Sequence, residues 1–320
     1  MKVIAYRNYG PPEVLKLEER EIPTPKKNEI RIKIYNTAVN SGDWRIRKAD
    51  PKLAKLYFGI FKPKQPILGI SIAGVVDSLG KDVTKFKIGD KVFGSTGMRL
   101  GAYAEYTCIP ESSVILRLPE EISFSEGACL SFGGLTALDF IQKCNLQKNQ
   151  TFIVYGASSS VGTAAIQLAK HFGAIVTAVC SQKNFDLVKS LGADFVMDYE
   201  TFLSESHNKK YDVVFECVGK SSITSNLLHR SEGGVLVLVG ASFKEMFQAA
   251  WISLTKGINI KFGPIAETLE NLNILTELTR KGIYKVVIDK FFPLEAMAEA
   301  HRYVEAGHKK GNVAINIDND

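Results

Sequence analysis

The stretch that most constrains this chain runs from Thr151 to Phe172. It opens on Thr151, Phe152, Ile153, Val154 and Tyr155, an apolar, β-branched run preceded by the polar turn Leu146 to Gln150. A short run of this kind suits a buried strand of a parallel sheet. A turn of small residues follows: Gly156, Ala157, Ser158, Ser159, Ser160 and, after Val161, Gly162. Val161, Ala164, Ala165, Leu168, Ala169 and Phe172 then recur at the spacing of one helix face. Gly173 ends that helix as a C′ glycine does, with Lys170 and His171 in its last turn. Small residues let a backbone come close to a ligand, and the free N–H groups at a helix start hold phosphate. A glycine-rich turn alone is weak. Flanked by this strand and this helix, it has the context of a dinucleotide-binding turn.

The rest of the chain divides at that stretch. Residues 1 to about 120 read as β-rich, with short strands at Val3 to Tyr6, Glu29 to Val39, Ile67 to Leu79, Lys91 to Gly94 and Ala102 to Ile109. Glycine and proline punctuate them, the pattern of a small barrel. Lys52 to Phe61 reads as a short helix or an irregular loop, and Arg45 to Lys64 carries no readable motif. Phe124 to Cys144 reads as helix, interrupted at Gly133-Gly134. From Thr151 strands alternate with helices through Phe262, which implies a doubly wound parallel sheet. The tail adds a helix (Glu267 to Lys281), a strand (Val286 to Phe291), a helix (Pro293 to Ala306) and a strand (Asn312 to Ile317).

At 320 residues the chain has room for two domains. Its net charge of +6 is scattered, which argues against nucleic acid as a partner and suits mild attraction for an anionic cofactor. No stretch reads as a signal peptide or a membrane span. The five cysteines (108, 129, 144, 180, 217) are odd in number and widely spaced, so the expectation is reduced thiols and a cytoplasmic location.

Which dinucleotide is expected follows from the second strand. NAD enzymes place an acid about 20 residues past the glycines, where it binds the ribose 2′-hydroxyl. Here the strand ends Val179, Cys180, Ser181, Gln182, Lys183, and the nearest acid, Asp186, falls in the next helix. Ser181 and Lys183 suit the extra charge of a 2′-phosphate, so NADPH is expected. Ser181 can also cap the following helix, a compatible role.

The order of parts is specific. FGSTGMRLGAYAEY (93–106), LSFGGLTAL (130–138), GASSSVGTAAIQLAK (156–170) and AHRYVEAGHKKGNV (300–313) resemble the medium-chain dehydrogenase/reductase superfamily over essentially the whole chain. The resemblance is strongest to its zinc-independent, quinone oxidoreductase-like branch. It implies an α/β protein: a doubly wound parallel (Rossmann) sheet domain at 123–265, plus a GroES-like β-barrel catalytic domain from 1–122 and 266–320. The superfamily's catalytic zinc uses an early cysteine and a Gly-His-Glu. Those slots fall here on Asn40, Ser41, Gly42, Asp43 and on Gly69, Ile70, Ser71, which supply neither thiolate nor imidazole. The resemblance further implies cofactor contacts from the turn Gly156 to Gly162 (Gly156, Ala157, Ser158, Ser159, Ser160, Val161, Gly162), and from Ser181, Lys183 and Tyr199. It adds Val218-Gly219, Val239-Gly240, Thr136 and Lys310. Ser159 stands where relatives commonly have glycine, so a Cβ must fit beside the pyrophosphate. Relatives pair as homodimers edge to edge, which places Ile258 to Phe262 near the seam.

Without a Lewis acid, an acceptor that takes hydride easily is expected: a quinone, or an enone or alkenal. Asn40 is the candidate hydrogen-bond donor to the carbonyl oxygen, Asp43 its orienter and Tyr57 a wall or donor, although Asn40 and Asp43 also suit a simple turn. Two alternatives remain beside the NADPH-dependent reductase: a zinc-type alcohol dehydrogenase, and a non-catalytic module that senses NADPH.

Overall fold

The computed structural model describes residues 1–204 and 208–317. In chain order its elements are β1 (Lys2–Ala5), β2 (Lys16–Glu19), β3 (Glu29–Ala38), α1 (Ser41–Lys48), α2 (Ala54–Phe58), β4 (Ser71–Leu79), β5 (Lys91–Ser95), β6 (Tyr106–Pro110), β7 (Ile115–Arg117) and α3 (Phe124–Cys144). There follow β8 (Thr151–Tyr155), α4 (Ser160–His171), β9 (Ile175–Val179), α5 (Phe185–Ser190), β10 (Phe195–Met197), α6 (Tyr199–Leu203), β11 (Tyr211–Glu216), α7 (Ile223–Leu228), β12 (Arg230–Leu238), α8 (Phe243–Lys256) and β13 (Asn259–Phe262). The chain ends with α9 (Leu269–Arg280), β14 (Ile288–Pro293), α10 (Met297–Glu305) and β15 (Asn312–Asn316). Two compact units result: Met1–Phe132 with Glu267–Arg280 and Ile288 onward, and Gly133–Ala266 with Lys281–Val287.

The second unit is a six-stranded parallel sheet in the order β10-β9-β8-β11-β12-β13. That order reverses between β8 and β11, and open sheets of this kind bind ligands in the crevice beyond the strand ends at such a reversal. Phe152, Ile153 and Val154 are fully buried, which is why their run shows no polar alternation.

The first unit is a seven-stranded, mainly antiparallel sheet in the order β14-β15-β3-β4-β5-β7, with β6 also on β3. Ile30, Ile32 and Ile34 of β3 are wholly buried in its core, and Arg31 and Lys33 alternate with them toward water. Two strands escaped the sequence. β2 reads Lys-Leu-Glu-Glu and lies almost wholly exposed, so it is held by pairing with β1 and leaves no apolar period. β7 is three residues long.

Of the two readings of Lys52 to Phe61 the short helix is the one found, as α2, whereas α1, which reaches Lys48, was not foreseen. The signal for α1 was an Asx cap with an acid three residues on, Asn40 and Asp43. The pair Gly133-Gly134 does not interrupt α3, which runs unbroken. A Cβ on Gly133 would lie 2.7 Å from the Ser160 carbonyl oxygen, so the glycine permits close packing against the start of α4. The substitution Gly133→Ala therefore destabilises the protein, by about 1–3 kcal/mol, although alanine is the better helix former. Urea unfolding checks this; a gain in stability contradicts it.

Candidate active site

The turn after β8 is built around two glycines. Gly156 has φ +81°, and a Cβ there would come within 2.6 Å of Val218. Only glycine tolerates both the conformation and the contact. A Cβ on Gly162 would lie 2.3 Å from the Gly156 carbonyl oxygen, so Gly162 lets α4 start against the end of β8. Ser159 is the N-cap, and its hydroxyl accepts the Gly162 amide at 3.0 Å. The amides of Ser160 and Val161 remain without intrahelical partners, the donors an anion uses. The Ser159 hydroxyl thus takes one donor of the set and leaves two. Ala157 is buried, and Ser158 accepts from Asn184 Nδ2 at 3.0 Å. Asn184 Oδ1 is buried with no partner, as is fitting beside a polar ligand.

Ser181 and Lys183 lie exposed at the end of β9, and the Ser181 side chain caps nothing. The acid after β10, Asp198, is committed: it caps α6 through the Thr201 amide and accepts Gln182 Nε2 at 2.9 Å. Tyr199 packs edge-on against Tyr155, ring centres 4.9 Å apart. The residues present therefore fit a phosphorylated dinucleotide better than one needing an acid at the second strand.

Glu216, which the sequence reading missed, organises the neighbouring loops. Its buried carboxylate accepts the amides of Val218 (3.1 Å), Gly219 (2.8 Å) and Lys220 (3.2 Å). Burial raises its pKa against the pull of those amides. Its carbonyl takes the Val239 amide, and a Cβ on Gly240 would sit 3.2 Å from the Gly219 nitrogen. Val218-Gly219 and Val239-Gly240 are thus brought together by one acid at the end of β11. Thr136 is buried on α3. Lys310 is exposed, with its amide on Asp289 Oδ2. Its neighbour Lys309 turns inward to the Gly311 carbonyl, and burial pulls its ammonium down to about 8 while Cys129 and Asp289 oppose the shift.

In the first unit Asn40 and Asp43 meet at the start of α1. Asp43 Oδ2 accepts the Asn40 backbone amide at 2.8 Å, so the acid fixes Asn40 through the main chain. Asn40 Nδ2 donates to Ser71 Oγ at 3.1 Å, and Ser131 Oγ donates to the same oxygen at 3.1 Å. Behind them lies a buried polar chain that the sequence did not reveal. Arg47 Nη1 stands 3.2 Å from His301 Nδ1, and His301 Nε2 stands 3.1 Å from the Tyr103 hydroxyl. Arginine only donates, so Nδ1 accepts and the His301 proton sits on Nε2, pointing at Tyr103. Burial and Arg47 hold His301 neutral. The Tyr103 proton is then directed to Asp43. Gly69 (φ +97°) is required here, since a Cβ would strike the Tyr103 ring at 2.6 Å. Glu305 closes the far end, pairing with Arg47 and with Lys48.

Burial lifts Asp43 to about 7, although the Asn40 amide, Tyr103 and Gly69 all favour its charge, and Oδ1 has no well-formed partner. Tyr57 stands apart from this group. It is 62% exposed, at the rim of a cavity of about 460 Å³ lined also by Gln65, Ser95, Met98, Arg99 and Glu267. At the slots where a catalytic zinc is held in the superfamily, an amide and a hydroxyl bond each other, Asn40 to Ser71, a poor donor set for zinc. Among the described residues no group of three or more His, Cys, Asp or Glu could hold a metal ion.

Asp43 has a consequence for stability. A carboxyl whose folded pKa lies above its ordinary 3.8 binds its proton more tightly when folded, so its contribution is lost as pH rises from 3.8 to about 7. Asp43→Asn should therefore gain stability relative to the parent across that window and hold the gain above it. Denaturant titrations at several pH values test this; a difference independent of pH contradicts it.

Comparison with known proteins agrees with this geometry. Residues 26–120 match the alcohol dehydrogenase GroES-like domain, and residues 191–315 match the zinc-binding dehydrogenase model. A chloroplastic quinone oxidoreductase of Triphysaria versicolor is 34% identical over 98% of this chain and 98% of its own. A 2-methylene-furan-3-one reductase of Solanum lycopersicum is 33% identical over 98% of this chain and 79% of its own. The crystal structure of Escherichia coli quinone oxidoreductase complexed with NADPH superposes with a TM-score of 0.84 at 26% identity, covering 99% of this chain and 100% of that one. With the turn, the sheet order and the GroES-like unit in place, these matches make the chain an oxidoreductase of the medium-chain dehydrogenase/reductase superfamily, in its quinone oxidoreductase-like branch.

Proposed function

We propose that the protein is an NADPH-dependent, zinc-independent reductase that passes hydride to a quinone or to an α,β-unsaturated carbonyl compound. The observation that carries the reading is the pairing of the Gly156–Gly162 cradle with exposed Ser181 and Lys183, and with no free acid at the end of β9. Two amides of α4 hold the diphosphate, and the serine and lysine hold the 2′-phosphate. Bound there, the reduced nicotinamide supplies hydride. The two relatives, a quinone oxidoreductase and a 2-methylene-furan-3-one reductase, support acceptors of this class. In this reading Asn40 keeps its second amide proton for the acceptor's carbonyl oxygen, with Ser71 fixing the side chain and Asp43 the backbone. Tyr57 forms a wall of the acceptor cavity. A zinc-type alcohol dehydrogenase is the second reading, favoured by the description of the matched family model and disfavoured by the Asn40–Ser71 pair.

The same reading extends to a homodimer. β13 is an edge strand, and α8 exposes Phe247, Trp251 and Leu254, at 75%, 69% and 85%. An unpaired edge beside an apolar stripe invites a second copy. Light scattering should give a dimer, converted toward monomer by Trp251→Glu; a monomeric parent protein contradicts the assignment.

NADPH oxidation measured against quinones and alkenals, with NADH as control, tests the main reading. Turnover with NADPH is expected, and the Ser181→Asp/Lys183→Glu variant should reduce the preference for NADPH over NADH by about tenfold or more. A parent enzyme that prefers NADH, turns over neither acceptor or contains stoichiometric zinc overturns it.

A further inference from the structure

We propose that Glu267 is the acid that delivers a proton to the α-carbon when an enone or alkenal is reduced. The inference rests on the reading above and adds a residue to it. Glu267 was not among the sequence candidates, because a lone acid ahead of a helix carries no motif.

The geometry is that of a side chain held for one task. Ser95 Oγ donates to Glu267 Oε2 at 2.7 Å, and Ser95 itself is fixed by the Gly97 amide at 3.0 Å. Among the described residues no lysine or arginine is paired with Glu267, and Ser95 is its one hydrogen-bond partner. Glu267 lines the same cavity as Tyr57, Gln65, Met98 and Arg99. Burial raises this carboxyl above the ordinary range, and Ser95 only partly opposes the shift. A half-buried acid with no cation paired to it keeps a proton more readily than a surface glutamate does. The alternatives in the same unit are poorer. Asp43 is wholly buried and its oxygen caps α1. Lys309 points at the Gly311 carbonyl.

The chemistry requires such a group for one acceptor class only. Hydride from the reduced nicotinamide adds to the β-carbon of an enone, and the electron pair of the C=C bond moves toward the carbonyl to leave an enolate. The α-carbon of the enolate then forms a C–H bond with the carboxyl proton of Glu267, and the resulting carboxylate takes a proton from water. One reduced dinucleotide and one proton are consumed for each saturated carbonyl compound. A quinone instead leaves its negative charge on oxygen, which solvent protonates without help.

The test compares Glu267→Gln with Glu267→Asp, using a benzoquinone and an α-methyl alkenal in D₂O with NADPH. For Glu267→Gln the expected result is a fall in kcat for the alkenal that exceeds any fall for the quinone by about tenfold or more. Deuterium should enter one face of the α-carbon with the parent enzyme and both faces with Glu267→Gln, and Glu267→Asp should restore the single face in part. Infrared titration of the cofactor-free protein should show a protonated carboxyl band that Glu267→Gln removes, a readout independent of turnover. Equal loss on both acceptors, or an unchanged rate and face selectivity with the alkenal, overturns Glu267 as donor while the reductase reading stands. A parent enzyme inactive on both acceptors sinks that reading and this one together.

Discussion

The structure of the second unit depends on how closely the start of α4 approaches the end of β8. That approach exists because two side chains are missing. At Gly162 a Cβ would overlap the Gly156 carbonyl, and at Gly156 it would overlap Val218. With both absent, the helix start, the turn and the loop after β11 share one small volume, and the amides of Ser160 and Val161 face it with no partner of their own. The reversal of strand order between β8 and β11 opens the crevice; the glycines let a diphosphate reach the helix. Glu216 completes the arrangement from below by collecting the amides of three successive loop residues, so the loop beside the turn is held by a carboxylate of the protein itself.

The first unit solves a different problem. Its candidate site sits on Asn40, whose amide is aimed by Ser71 and whose backbone is capped by Asp43. Asp43 is a wholly buried acid, and buried acids persist only where donors surround them. The chain of donors behind it comes from far along the sequence: Tyr103 from the loop before β6, His301 from α10 and Arg47 from α1, with Glu305 of α10 accepting from Arg47. Because arginine can only donate, the direction of every proton in that chain is set from one end. The capping acid of a short helix is thereby tied to the C-terminal part of the sequence.

What could be read from the sequence follows from where the information lies. The Rossmann half was legible because its strands are buried on both faces and its turn chemistry is local, with each glycine next to the elements it serves. The capping pair Asn40 and Asp43 was noticed as a pair of residues, yet α1 itself was missed because Trp44, Arg45, Arg47 and Lys48 hide its short apolar face. The roles of Gly133, His301, Tyr103 and Glu267 were not legible. Gly133 looks like a helix breaker until the Ser160 carbonyl beside it is seen. Glu267 looks like a surface acid until Ser95, 172 positions away, is found bonded to it. Contacts of that separation leave no trace in spacing or period.

The most direct test of the account is electron density from a crystal soaked in NADPH. The account expects the diphosphate on the amides of Ser160 and Val161, the adenosine 2′-phosphate between Ser181 and Lys183, and the nicotinamide end beyond the β8–β11 reversal. A dinucleotide lying elsewhere on the chain, or a turn that stays empty at saturating coenzyme, would contradict it.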